Sequence, residues 1–305
     1  MNNPIPKAIF ILLILSVYSC TDNKNPYEYV DEPNNLEELH KGFFINELTP
    51  DTFKHHDSSI IVVSTGHTYP LLNDKLAFNA FVSTIQNQNP DLVFILGDMV
   101  YDNTQDEWNS FFNYFKGLKD KMYFAPGNHD LNFHYERYNG IRDNQFIAEK
   151  RYVENIGYRY KVLKSKFANF VFINMNDSLD RIVTYLDAAN GIMDKGKTNF
   201  FFSSQSAWHS SSQDPNNVQT WPLKSFTRKE LFPSIEHFDY MIHGDWNKKF
   251  YRGYWTKKNG EFHVMAVGNK RKGDSLFITR MEIKKDTVIT TPIAVEVPEN
   301  SNWYK

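Results

Sequence analysis

The sequence predicts an α/β fold, a mostly parallel sheet with helical crossovers completed by antiparallel strands. Two patterns carry that expectation. Short apolar runs without alternation, as in strands buried on both faces, alternate with amphipathic helical stripes through the first half, and the C-terminal third reads as strands joined by short turns. In order, Ile60-Ile61-Val62-Val63 is the first buried strand, bounded by Ser64-Thr65-Gly66. Leu72, Leu76, Ala80, Phe81 and Ile85 then make a helical stripe that ends before Asn89-Pro90, and Leu92-Val93-Phe94-Ile95-Leu96 is the second strand. Trp108, Phe111, Phe112, Phe115 and Leu118 share one face of a second helix, and residues 121–125 are the third strand. Such a βαβαβ run implies parallel strands with right-handed crossovers. Further strand-like runs are Tyr158–Leu163, Phe170–Asn174, Phe200–Phe202, Tyr240–His243, Phe262–Val267, Leu276–Ile283 and Val288–Val295, with turns at Lys258-Asn259-Gly260 and Lys272-Gly273-Asp274. The expectation is one α/β domain with room for two sheets.

The chain has 305 residues, 41% of them hydrophobic, enough to bury a substantial core. Its 34 Lys+Arg against 36 Asp+Glu leave a net charge of −2, so nothing in the balance of charge draws a nucleic acid. The N-terminus has the three parts of a secretory signal: Lys7, the apolar stretch Ala8–Leu15, and Ser19 before Cys20. Cys20 is the single cysteine, which excludes a disulfide framework. Val17-Tyr18-Ser19-Cys20 resembles a bacterial lipobox, with Tyr18 a bulky occupant of its position. The expectation is a lipoprotein signal peptide over 1–19, lipid on Cys20 anchoring the protein to a membrane, a polar tether over 20–55 and the domain over 56–298. The long Asn-, Asp-, Glu- and Pro-rich tether favours the outer over the inner membrane of a bacterial envelope.

In open α/β sheets the chemistry sits beyond the carboxyl ends of the strands. Strand one is followed by Thr65-Gly66-His67, strand two by Gly97-Asp98-Met99-Val100-Tyr101-Asp102, and strand three by Pro126-Gly127-Asn128-His129-Asp130. Three consecutive strands therefore deliver His, Asp and Asn-His-Asp to one edge, in order and at intervals of about thirty residues. With these blocks the sequence resembles the calcineurin-like metallophosphoesterases, from about Ile60 to Ile283. The resemblance implies a double β-sheet sandwich flanked by helices and a site with two metals bridged by the aspartate of the second block, here Asp98. Gly97-Asp98-Met99-Val100-Tyr101 and Gly127-Asn128-His129-Asp130 match the family pattern in full, and His67 matches the histidine of its first block.

Elsewhere the pattern is broken. Thr65 stands where the first-block aspartate belongs, and Ser204 at the end of Phe200-Phe201-Phe202-Ser203 stands where the family has a lone metal histidine. In Ile242-His243-Gly244-Asp245-Trp246-Asn247, Asp245 and Asn247 replace two further histidines. Of seven expected ligands His67, Asp98 and Asn128 survive. Losing even an outer partner of a metal ligand lowers affinity or activity roughly 10–100-fold, so four inner changes disfavour a dinuclear imidazole site. The oxygen-rich remainder, Asp98, Asn128, Asp245 and Asn247 with His67, suits one Mg²⁺, Mn²⁺ or Ca²⁺ better than Zn²⁺. His243 points away from the face of Asp245 because neighbouring strand residues alternate. His129 occupies the family's position near the leaving group, where an imidazole can donate a proton, and His67 could stabilise developing charge.

Two functions from different classes follow. One is an envelope pseudo-phosphoesterase that binds a partner protein or a phosphorylated or glycan ligand without turnover; the lost ligands favour it. The other is a divergent phosphoester hydrolase using one hard divalent ion. Tyr101, Trp208 and Trp246 near the site would suit sugar stacking.

Overall fold

A computed structural model describes residues 47–131, 145–177, 179–205, 231–246, 251–257, 260–269 and 275–303, with backbone alone at 145–148, 232, 245–246, 251–257, 260–262 and 266. Two sheets pack face to face. The five-stranded sheet has the order β12-β11-β2-β3-β4, with β2 (Ile60–Thr65), β3 (Leu92–Leu96) and β4 (Met122–Ala125) parallel, and β11 (Phe277–Ile283) and β12 (Val288–Ala294) antiparallel at one side. The seven-stranded sheet has the order β1-β5-β6-β7-β8-β10-β9. In it β6 (Ala168–Ile173), β7 (Thr198–Ser203), β8 (Tyr240–Trp246) and β10 (Gly260–Gly268) are parallel. β5 (Lys161–Lys164) runs antiparallel to β6, β9 (Tyr251–Lys257) runs antiparallel to β10, and the short β1 (Asp51–Thr52) is parallel to β5.

Alternation sorts the side chains into layers. Val62, Leu92, Phe94 and Leu96 face Phe170, Phe172, Phe200, Phe202, Ile242 and Met265 across the sandwich. Phe94 sits edge-on to Phe170, Phe172 and Phe202, with centroids 4.9–5.3 Å away, geometry that aromatic quadrupoles favour. Val63, Val93 and Ile95 point outward under α1 (Lys75–Asn87), α2 (Gln105–Tyr114) and α3 (Gln145–Ile156). Val171, Ile173, Phe201 and Met241 point outward under α4 (Leu179–Ile192) and α5 (Phe232–Ile235).

The parallel βαβαβ unit and the double sheet match expectation. The phase of the first helical stripe does not: Leu76 is 39% exposed while Phe78 is fully buried. Asp74 accepts from the N–H groups of Leu76 and Ala77, starts α1 at Lys75, and so turns Ala77, Phe78, Phe81, Val82 and Ile85 inward. A second cap, the reciprocal Thr104–Glu107 box, starts α2. The C-terminal third is less antiparallel than its turns suggest, because β10 lies parallel to β8 and sends β9 to the edge. The domain also begins before the boundary drawn at residue 56. Glu47 is 1% exposed, and its carboxylate accepts from the backbone N–H, Nε and Nη2 of Arg159. Arg159 also reaches Glu149 at 2.6 Å and Asp177 at 3.7 Å. At the other end Trp303 is buried beyond residue 298, with Ser301 donating to Asp74.

Candidate functional site

The carboxyl ends of β2, β3, β4, β7 and β8 converge. Gly244 lets the sheets meet, since a Cβ there would collide with the carbonyl of Leu96. Gly97, at φ +78°, turns the chain out of β3, and a Cβ on it would strike the Ser204 side chain. His67 and Asp98 hold left-handed backbones, φ 53° and 54°, a conformation that non-glycine residues adopt at a cost and that clusters where function fixes the backbone.

Asp130 organises the loops. Its Oδ2 accepts from the N–H groups of Asp98 and Gly127, both at 2.8 Å, and its Oδ1 from those of Met99 at 2.7 Å and Val100 at 3.2 Å. Burial first, then the charge of Asp98, pushes the Asp130 carboxyl up, against the pull of those N–H donors. Asp98 is also buried, which raises its carboxyl. The neighbouring His67 and His129 outweigh that and hold it well below the ordinary carboxylate value.

Each surviving ligand position is engaged by another protein group. His67 Nε2 lies 2.8 Å from Asp98 Oδ2, and His67 Nδ1 lies 2.6 Å from the carbonyl of Gly244. Asn128 Oδ1 accepts from Gln205 Nε2 at 3.4 Å, and the same nitrogen donates to Asn176 Oδ1 at 3.3 Å. Thr65 Oγ1 accepts from Asn269 Nδ2 at 3.1 Å, so this position ties β2 to the end of β10. Ser204 is 1% exposed, and among the described residues neither its Oγ nor Gln205 Oε1 has a hydrogen-bond partner.

His129 donates its backbone N–H to Asp98 Oδ1 at 3.2 Å and places Nδ1 3.0 Å from the carbonyl of Tyr101. Its ring stacks on Tyr69 at 4.5 Å and leans on Tyr101 at 4.8 Å. The expected sites thus divide. His67, Asp98, Asn128, His129, Thr65 and Ser204 come together. Asp245 follows Gly244 in β8, with its backbone alone described. Asn247, Trp208 and Cys20 lie outside the described residues. His55 bonds the carbonyl of Ser59 at 2.6 Å before β2, at the amino end of that strand and away from the site. Sequence reasoning missed Gln205, Asn176, Asn269 and Tyr69; the only local signal was that each lies one to four residues beyond a strand end.

The described donors do not fit a dinuclear metal site. Such a site needs several imidazole and carboxylate ligands with free lone pairs, and here one imidazole and one carboxylate are bonded to each other. Among the described residues no group of three or more His, Cys, Asp or Glu side chains is gathered to hold a metal ion.

No curated protein matches the sequence. Among solved structures the fold is similar to purple acid phosphatase PPD1 from yellow lupin (Lupinus luteus) seeds, with a TM-score of 0.56 and 13% identity over 81% of this chain and 54% of that one. It is also similar to a dimetal phosphatase from Danio rerio, with a TM-score of 0.55 and 10% identity over 79% of this chain and 100% of that one. The chain therefore spans about half the length of the lupin enzyme, and at these identities the likeness is one of fold alone. A profile of calcineurin-like phosphoesterases matches residues 67–245, more than half of the chain and the whole stretch from His67 to Asp245, so the protein belongs to the calcineurin-like phosphoesterase family.

Proposed function

We propose that this protein is a lipid-anchored member of a bacterial envelope, tethered through Cys20, whose calcineurin-like domain binds a ligand or partner without hydrolysing phosphoesters. The observation that carries the reading is the closure of the metal-facing atoms on one another: His67 on Asp98 and Gly244, Asn128 on Gln205, Thr65 on Asn269. A metal entering here would have to separate His67 from Asp98 and Asn128 from Gln205. A polarising Lewis acid and an activated water are what this family's fold otherwise supplies to phosphoryl transfer.

The test is metal content and turnover of the purified protein after exposure to Mn²⁺, Mg²⁺, Ca²⁺ and Zn²⁺, beside an Asp98→Ala variant. The expected outcome is less than stoichiometric metal and no Asp98-dependent hydrolysis of phosphomonoesters or diesters. One bound hard ion that disappears in the variant, together with turnover that disappears with it, would overturn the reading in favour of a single-metal hydrolase built on Asp98, Asn128 and Asp245. Anchoring is read separately, by incorporation of labelled fatty acid into the wild type and its loss in Cys20→Ala.

A further inference from the structure

The loops at the site, residues 65–69, 97–104, 126–131, 174–177, 203–205 and 243–244, contain no lysine or arginine and carry the carboxylates of Asp98, Asp102, Asp130 and Asp177. A phosphorylated ligand would bring negative charge to loops whose own basic side chains, among the described residues, are His67, His129 and His243, and His67 lies 2.8 Å from Asp98. The arginines that reach these loops are engaged there, Arg151 with the carbonyl of Asn103 and Arg181 with Asp177. Among the described loops the acidic groups outnumber the histidines, which disfavours an anionic ligand. Three of these four carboxylates are already held by protein groups. Asp98 is held by His67 and by the N–H of His129, Asp130 by four backbone N–H groups, and Asp177 accepts from Tyr160 and Arg181.

Among the described residues Ser204 Oγ and Gln205 Oε1, both in side chains more than nine-tenths buried, have no hydrogen-bond partner, nor has Thr68 Oγ1 in the loop after β2, and buried polar atoms are nearly always paired in a working structure. Ser204 and Gln205 sit at the end of β7 beside the amides of Asn128 and Asn176. At the mouth stand three partly exposed rings, Tyr69, Tyr101 and His129, with centroids 4.5–5.2 Å apart. Aromatic faces and neutral amide or hydroxyl groups together match a ring that is apolar on one face and edged with hydroxyls, and a few polar groups in a partly apolar cleft suffice to fix its orientation.

We propose that this cleft binds a neutral oligosaccharide, a sugar ring lying on the Tyr101 side of the aromatic trio and hydrogen-bonding toward Gln205 and Ser204. The proposal rests on the reading of the domain as a binder without hydrolysis and names the chemistry of its ligand. It excludes phosphorylated sugars, which the charge argument disfavours.

The experiment is isothermal titration of the full chain, purified in detergent, with maltohexaose, cellohexaose, mannohexaose and N-acetylated chitohexaose, and separately with inorganic phosphate and phosphoserine. Expected is saturable binding of at least one oligosaccharide, weakened about tenfold or more in Tyr101→Ala and in Gln205→Leu. Ile289→Ser, an exposed change on the edge strand β12, should leave the affinity alone. Two variants guard against one failing to fold. The proposal is overturned if none of the four oligosaccharides binds the folded protein, if binding survives both variants, or if phosphate or phosphoserine displaces the sugar. Asp98-dependent turnover of a phosphoester would instead sink the underlying reading; absence of turnover with no sugar bound sinks this proposal alone.

Discussion

The loops that face each other across the site come from different sheets and are built differently. Those after β2, β3 and β4 are bound into the backbone: Asp130 holds four N–H groups, Asp98 receives the N–H of His129, and His67 reaches across to the carbonyl of Gly244. Among the described residues the loop after β7 leaves Ser204 Oγ and Gln205 Oε1 unpartnered, while on the first side Thr68 Oγ1 alone of these loop hydroxyls is so. This division follows the agreement with the family pattern in part: the second and third blocks match in full and Ser204 breaks it, while Thr65 at the end of β2 breaks it on the first side too. A residue whose polar atoms also hold up the backbone cannot change without loss of the fold, whereas one whose side chain serves only a ligand is free to change when the ligand does. Matching motifs on the first side are therefore weaker evidence of catalysis than they look.

The sharpest test of this difference is Asp130→Asn, which puts an amide N–H₂ against two of the four buried donors; destabilisation by about 2–4 kcal/mol in urea denaturation is expected. Acid should expose the next largest effect. The Asp98 carboxyl titrates lower in the folded chain than its ordinary 3.8, so its contribution is complete above about pH 4 and is lost as pH falls toward the lowered value. His67→Gln removes the first cause of that lowering and should flatten the loss of stability between pH 4 and pH 2, followed by circular dichroism. Thr65→Val leaves Asn269 Nδ2 without its acceptor and should cost about 1–2 kcal/mol. On the β7 side, Ser204→Ala should leave stability within about 0.5 kcal/mol of wild type or raise it slightly. Equal losses at Asp130 and Ser204 would erase the distinction.

Much of the first side was legible because its signals are local. Ile60–Thr65, Leu92–Leu96 and Met122–Ala125 read as parallel strands since both faces of each are covered, and the blocks that follow them are contiguous in sequence. The groups that close the site were not legible because they arrive from far away: Gln205 meets Asn128 across 77 residues and Asn269 meets Thr65 across 204. Tyr69 escaped for another reason. It reads as an ordinary loop aromatic until the turn after His67 carries it onto His129. The misplaced stripe of α1 shows a single cap overruling an apolar pattern, Asp74 setting the start and with it the phase.

Glu47 was placed in the tether and instead lies inside the domain, clasped by Arg159. On the lipid-anchored reading this sets the reach of the molecule. The chain between Cys20 and Glu47 can extend to at most about 95 Å, and the first described residue it meets is a buried carboxylate. The same guanidinium bonds Glu149 and lies near Asp177, just beyond Asn176 of the site, so the leash enters the domain beneath the cleft. On that reading the cleft stands at a bounded height above the membrane.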